Sequence, residues 1–266
     1  IPEAAATLAE AFWPGPLTMI FKKTDCVPYE TTGGLDTVAV RMPQHMGALQ
    51  FLEEAGVPVA APSANTSGRP SPTLAQHVKE DLDGKIDMII DGGEVGIGFE
   101  STIVDVTEEI PVILRPGFIT QKMLQEIVGE VQMDPALMQV SGDQKPKAPG
   151  MKYRHYAPKA DLKIVEGPME QVISYINEQA EKGRTGIICT EETRSRYPKG
   201  DIKCVGTRKD ELSIASHLFA VLREFDEDGV EQIYSESFKA PGLGEAIMNR
   251  LLKAAGHQKV DVSDRK

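Results

Sequence analysis

The sequence predicts an α/β protein in two parts. A larger amino-terminal region carries a mixed, twisted sheet, and a smaller carboxy-terminal region is a three-layer, Rossmann-like α/β unit. Three observations predict this. Residues 1–132 mix strand-length and helix-length apolar runs without a strict βαβ rhythm, which by itself leaves α/β and α+β arrangements open. Residues 160–266 alternate strand and helix regularly, the pattern of a parallel sheet. Between them, residues 133–159 carry Pro135, Ser141, Gly142, Pro146, Pro149 and Gly150 with little periodicity, and read as a linker.

The elements follow in order. In the first region, strands are predicted at Thr18–Lys22, Thr37–Met42, Val57–Ala61, Met88–Asp91, Ser101–Val106 and Val112–Arg115. Helices are predicted at Glu3–Ala11, Gln44–Ala55, Leu74–Leu82 and Thr120–Val128, the last with Thr120 as its cap. In the second region the order is strand Leu162–Glu166, helix Met169–Glu181, strands Thr185–Thr190 and Ile202–Val205, helix Leu212–Asp226, strand Gln232–Ser235 and helix Gly244–Ala255. Pro241-Gly-Leu-Gly-Glu245 before the last helix is only a weak anion signal.

Composition narrows the function classes. The 266 residues carry a net charge of −11, a poor balance for general nucleic-acid binding. No apolar run approaches the roughly 20 residues of a membrane helix, and no secretory signal pattern is visible. The three cysteines, Cys26, Cys189 and Cys204, form no Cys-x-x-Cys pair, which argues against zinc and for a reducing cytoplasm. Cys189 and Cys204 lie in apolar runs and are expected to be buried. No nucleophile–histidine arrangement or acid–base carboxylate pair stands out. His217 falls on a helix whose apolar face could bury it.

The most informative stretch is Ala60-Ala-Pro-Ser-Ala-Asn-Thr-Ser-Gly-Arg-Pro-Ser-Pro-Thr73. It places five hydroxyls, Asn65 and Arg69 between a strand-like and a helix-like run. Such a loop suits phosphate oxygens. It equally suits a plain turn, with Ser71 capping the next helix and Pro72 at its first position. Thr37-Val-Ala-Val-Arg41 puts Thr37 and Arg41 on one strand face, where a cation needs an anionic partner. Gly92-Gly-Glu-Val-Gly-Ile-Gly98 runs into Ser101 and Thr102, and Ile113-Leu-Arg115 ends a strand on a cation suited to phosphate. Trp13, in a rigid Pro/Gly setting, reads as a packing anchor rather than a base-stacking platform. The ensemble positions anionic reactants and offers no protein nucleophile.

These segments recur in one order: Phe12-Trp-Pro-Gly-Pro-Leu-Thr18, Val38-Ala-Val-Arg-Met-Pro43, Ala60-Ala-Pro-Ser-Ala-Asn65, Ser67-Gly-x-Pro-Ser-Pro-Thr73, Glu100-Ser-Thr-Ile-Val-Asp105 and Leu114-Arg-Pro-Gly117. The set resembles the YrdC-type threonylcarbamoyl-AMP synthase family. Gly150-Met-Lys-Tyr-Arg-His-Tyr-Ala-Pro158 and the α/β tail resemble its longer, two-domain form. The resemblance implies a YrdC-like domain at 1–132, a linker at 133–159 and a second domain at 160–266. It implies condensation of L-threonine, bicarbonate and ATP to threonylcarbamoyl-AMP and pyrophosphate. The product would feed the threonylcarbamoyl transferase machinery that modifies tRNAs reading codons that start with A. Arg41, Ala61 and Ser101 are expected at threonine. Thr37, Ser63, Ser71, Arg115 and Tyr156 are expected at ATP. No residue is assigned a catalytic role beyond binding. No protein metal site is expected, and Mg²⁺ would come with ATP.

The family opens with a Lys-x-Arg pair and an Asn-Pro-Leu stretch, and nothing similar precedes Glu3. The expectation is therefore a chain that extends upstream or is clipped, and that alone makes threonylcarbamoyl-AMP poorly or not at all. Two other readings compete. One is a double-stranded RNA- or ribosome-binding factor without catalysis, using the locally basic Lys145–Lys159. The other is a carbamoyl transferase that would respond to carbamoyl phosphate.

Overall fold

Residues 1–137 and 156–264 are described in the computed structural model. The predicted linker lies mostly outside these residues, as does most of the locally basic run Lys145–Lys159. Contacts divide the chain into two compact units. Ile1–Pro62 and Glu100–Lys152 form the first, and Ser63–Phe99 with Tyr153–Lys266 form the second.

The chain runs α1 (Glu3–Phe12), β1 (Leu17–Lys22), α2 (Tyr29–Thr32), β2 (Thr37–Val40), α3 (Met46–Ala55) and α4 (Ala75–Leu82). It continues through β3 (Thr102–Asp105), β4 (Val112–Arg115), α5 (Gln121–Val128) and β5 (Gln132–Met133). Of these, α4 belongs to the second unit. The first unit's sheet has the order β2-β1-β3-β4-β5. It is mixed: β1 pairs antiparallel with β2 and parallel with β3, and β4 runs antiparallel to β3. Alternation along the strands sends Leu17, Met19, Val104 and Ile113 to one face, against Ala5 and Leu8 of α1 and Leu124 of α5. Ile20, Ile103 and Leu114 pack together as a smaller cluster. Thr120 caps α5 by accepting from Met123 N–H at 3.3 Å, as its position before the helix predicts. Trp13 packs against this core and donates Nε1–H to Leu17 O at 2.7 Å, the expected anchor.

The second unit continues with β6 (Asp161–Glu166), α6 (Met169–Ala180), β7 (Thr185–Cys189), β8 (Asp201–Cys204), α7 (Glu211–Asp228), β9 (Gln232–Glu236), α8 (Leu243–Ala254) and β10 (Lys259–Asp261). Its sheet is parallel throughout, with order β10-β6-β9-β7-β8. Helices α7 and α8 cover one face over Leu162, Ile164, Ile188 and Ile233. Helix α6 covers the other over Val165, Ile187 and Tyr234. With both faces covered, all of β7 is buried and reads as one apolar run. Two mixed-to-parallel α/β layers with helices are thus the observed architecture, as the sequence predicts.

Several elements differ from the sequence-based expectation. Val57–Ala61 and Met88–Asp91 have strand-like composition but form no strand, and Val57 and Met88 stand 61% and 76% exposed. A strand needs a neighbour's hydrogen bonds as well as an apolar pattern, and among the described residues neither run has one. Helix α4 starts at Ala75 with Leu74 at its cap position, so Ser71 is not its cap. His217 is exposed on α7, its Nδ1 2.7 Å from Ser213 O, rather than buried. Cys189 is buried and Cys204 half-buried. Short α2, β5 and β10 carried no sequence signal.

Candidate active site

In the first unit, the strand directions bring four chain segments to one end of the sheet. β3 starts at Thr102 and β4 ends at Arg115, and the two are antiparallel. β1 starts beside β3, with Leu17 opposite Thr102. β2 finishes there, with Val40 opposite Met19. Thr18, Arg41, Ser101 and Arg115 therefore share one edge.

Side-chain contacts join three of the four, Thr18, Ser101 and Arg115. Thr18 Oγ1 and Ser101 Oγ lie 2.6 Å apart. Arg115 Nε donates to Ser101 O at 3.1 Å, and Nη2 donates to Ser101 Oγ at 3.4 Å. Gly117 explains how the chain passes so close: a Cβ there would sit 2.6 Å from Thr102 N. Arg41 is exposed, and among the described residues its side chain makes no hydrogen bond or ion pair. Nearby protein atoms desolvate its guanidinium and lower its pKa, although arginine stays charged at any working pH. A cation of this kind at a polar edge is complementary to a carboxylate or phosphate.

Thr37 is placed differently. It pairs with Lys22 at the far end of β2, four residues from Arg41, or about 13 Å along the strand. The structure does not bring it to the edge that holds Ser101. Ala61 lies in exposed, irregular chain after α3.

In the second unit, the hydroxyl loop is shaped from within. Ser63 is exposed, while Ser71 and Thr73 are buried. Thr73 N–H donates to His77 Nδ1 at 3.2 Å. Thr66 N–H donates to Asp81 Oδ2 at 3.0 Å, and Asn65 Nδ2 donates to Thr66 O at 2.9 Å. Arg69, a phosphate candidate by sequence, instead pairs with Asp81. Arg223 of α7 completes the arrangement, bonding both Asp81 and the Pro70 carbonyl. Burial alone would raise the Asp81 pKa. The hydrogen bonds from Arg223 and Thr66 and the charges of Arg223 and Arg69 outweigh burial and hold the carboxyl below its ordinary value. Tyr156 is buried, with φ +64° and its ring stacked on Phe219 at 4.9 Å between centroids. Ala157 N–H then donates to Gly68 O at 3.0 Å, tying this chain to the loop.

Sequence reasoning missed Thr18, Asp81 and Arg223. A signal for Arg223 was present: it lies four residues from Phe219 and one from Leu222, on the buried side of α7. A cation there requires a buried carboxylate. Among the described residues no three His, Cys, Asp or Glu side chains gather as a metal site. Nor is any helix of them long and apolar enough to cross a membrane.

Fold and site together define an α/β protein with hydroxyls and cations gathered at one end of a mixed sheet. Residues 1–117 match the Sua5, YciO and YrdC family model, described as telomere recombination. Residues 119–256 match the model of the threonylcarbamoyl-AMP synthase C-terminal domain. The chain is 48% identical to the Bacillus subtilis threonylcarbamoyl-AMP synthase, over 96% of this chain and 74% of that one. It is also 48% identical to the Pyrococcus abyssi threonylcarbamoyl-AMP synthase, over 98% and 76%. A solved structure of P. abyssi Sua5 with L-threonine matches with a TM-score of 0.91 at 47% identity, over 98% of this chain and 76% of that one. This chain belongs to the threonylcarbamoyl-AMP synthase family, in its two-domain form.

Proposed function

We propose that this chain is an L-threonylcarbamoyladenylate synthase, a nucleotidyl-transfer enzyme of tRNA threonylcarbamoyladenosine synthesis. The observation that carries the reading is the polar sheet edge of Arg41, Ser101 and Arg115, in a chain 47% identical to a protein solved with L-threonine. Arg41 and Ser101 bind threonine, the guanidinium pairing with its carboxylate, with the Ala61 backbone beside it. Thr37 and Arg115, and in the second unit Ser63, Ser71 and Tyr156, bind ATP. The threonine amine nitrogen bonds the carbon of bicarbonate with loss of water, or of CO2 with loss of a proton, to give a carbamate. A carbamate oxygen then attacks the α-phosphorus of ATP, and the α–β phosphoanhydride bond breaks to release pyrophosphate. The protein's part is positioning and charge stabilisation, since no side chain becomes covalently attached.

The donor set of hydroxyls and arginines fits phosphate oxygens rather than a bare cation. Mg²⁺ would be held through the triphosphate and would neutralise its charge. The product is passed to the tRNA threonylcarbamoyl transferase machinery in the cytoplasm.

The test is pyrophosphate release. It should require ATP, L-threonine and bicarbonate together, and ATP with threonine should raise the melting temperature. Release without threonine, or thermal stabilisation by double-stranded RNA and not by ATP, would refute the assignment.

A further inference from the structure

The hydroxyl loop is held by a buried charge network whose far end lies in the carboxy-terminal α/β layer. Asp81 of α4 and Arg223 of α7 are both buried, with side chains 0% and 1% exposed. Arg223 Nη2 donates to Asp81 Oδ2 at 2.9 Å, and Nη1 donates to Asp81 Oδ1 at 3.3 Å. The same guanidinium also grips the loop backbone: Nε and Nη2 donate to Pro70 O at 3.1 and 2.6 Å. Asp81 passes the constraint onward to Thr66 N–H and to Arg69. Arg69 in turn faces Asp226 of α7 at 3.9 Å, and Asp226 accepts from Lys159 N–H at 2.6 Å. Two arginines and two aspartates balance in charge, which offsets the cost of burying Asp81 and Arg223. The strip after the loop is seated on the same helix. A Cβ at Gly98 would lie 2.2 Å from Ser216 Cα, and φ there is +82°, so only glycine lets the two backbones meet.

We propose that Arg223 is a positioning residue for nucleotide binding: through Asp81 and the Pro70 carbonyl it holds residues 63–73 in their ATP-binding conformation. This gives the second α/β layer a task in the reaction, and it rests on the reading of Ser63 and Ser71 as ATP contacts. The planar guanidinium is needed because it bonds a carboxylate and a carbonyl at once. A lysine ammonium has the charge but lacks the fork.

The experiment compares Arg223→Lys with Ser71→Ala. Arg223→Lys keeps a buried cation opposite Asp81, so the fold survives; Arg223→Met serves as the more drastic variant. Three quantities are read: ATP affinity, L-threonine affinity and hydrogen exchange of the amides of residues 63–73. Arg223→Lys should weaken ATP binding about tenfold, leave threonine binding unchanged and speed exchange in the loop. Asp81→Asn should act in the same direction, with the double variant less than additive. If loop exchange stays at the wild-type rate, Arg223 does not hold the loop and the proposal is overturned. It is equally overturned if exchange quickens but ATP affinity does not change. Ser71→Ala separates that failure from failure of the loop reading, because it weakens ATP binding only if the loop contacts the nucleotide.

Discussion

Arg41 in the first unit and Arg223 in the second are the same residue in opposite circumstances. Arg41 stands at a sheet edge, exposed, with no carboxylate among the described residues to answer it. Arg223 is 1% exposed and its donors go to Asp81 and the Pro70 carbonyl. Cations in such a protein sort by what their donors meet. A guanidinium whose donors are all satisfied internally shapes the scaffold. One left facing water at a polar edge keeps its donors open to an incoming anion. Arg69 shows why loop sequence alone misleads. It sits among phosphate-suited hydroxyls, yet its charge is committed to Asp81.

The contrast can be broken most forcefully at Arg223. Arg223→Met leaves Asp81 buried with only Arg69 as a cation partner, and should cost about 3–5 kcal/mol in a denaturant melt. A loss below about 1 kcal/mol would mean that the network is not structural. A smaller, pH-dependent effect is expected beside it. Burial, chiefly, and the Arg223 charge lower the His77 pKa against the opposing pull of Glu80, Glu227 and Asp81. The folded state thus prefers neutral imidazole. The stability this supplies is present above the unfolded value of about 6.5 and is lost as pH falls below it. Asp81, whose folded pKa is depressed, loses its contribution only at more acid pH, below about 4. His77→Gln should flatten thermal stability between neutrality and pH 5, and an unchanged slope would contradict the assignment. The smallest effect belongs to the surface. Arg196 and Glu170 form a bidentate pair at 3.0 and 2.7 Å, but both side chains are open to water. Arg196→Ala should leave the melting temperature unmoved, since solvent screens such pairs.

Much of this was legible in the sequence, for reasons that particular residues make plain. The second unit was the easier to read. Strand β7 is a buried apolar run, and the apolar face of α7 repeats at helical spacing, so periodicity alone locates them. The first unit's strands were legible where they pair, as at β1 and β4. The runs 57–61 and 88–91 have strand-like composition but no strand, because pairing is not encoded in composition. At the site, Arg41, Ser101 and Arg115 could be picked out because polar residues at strand ends are conspicuous. What sequence could not supply was the pairing of Asp81 with Arg223, 142 positions apart, because proximity on that scale is a product of topology.

Whether the uncommitted Arg41 cation holds the substrate is decided by L-threonine titration of Arg41→Ala. Threonine affinity should fall about a hundredfold, the worth of a charge-assisted pair, with the melting temperature of the free protein unchanged. Threonine binding within twofold of wild type, or a variant that fails to fold, would contradict it.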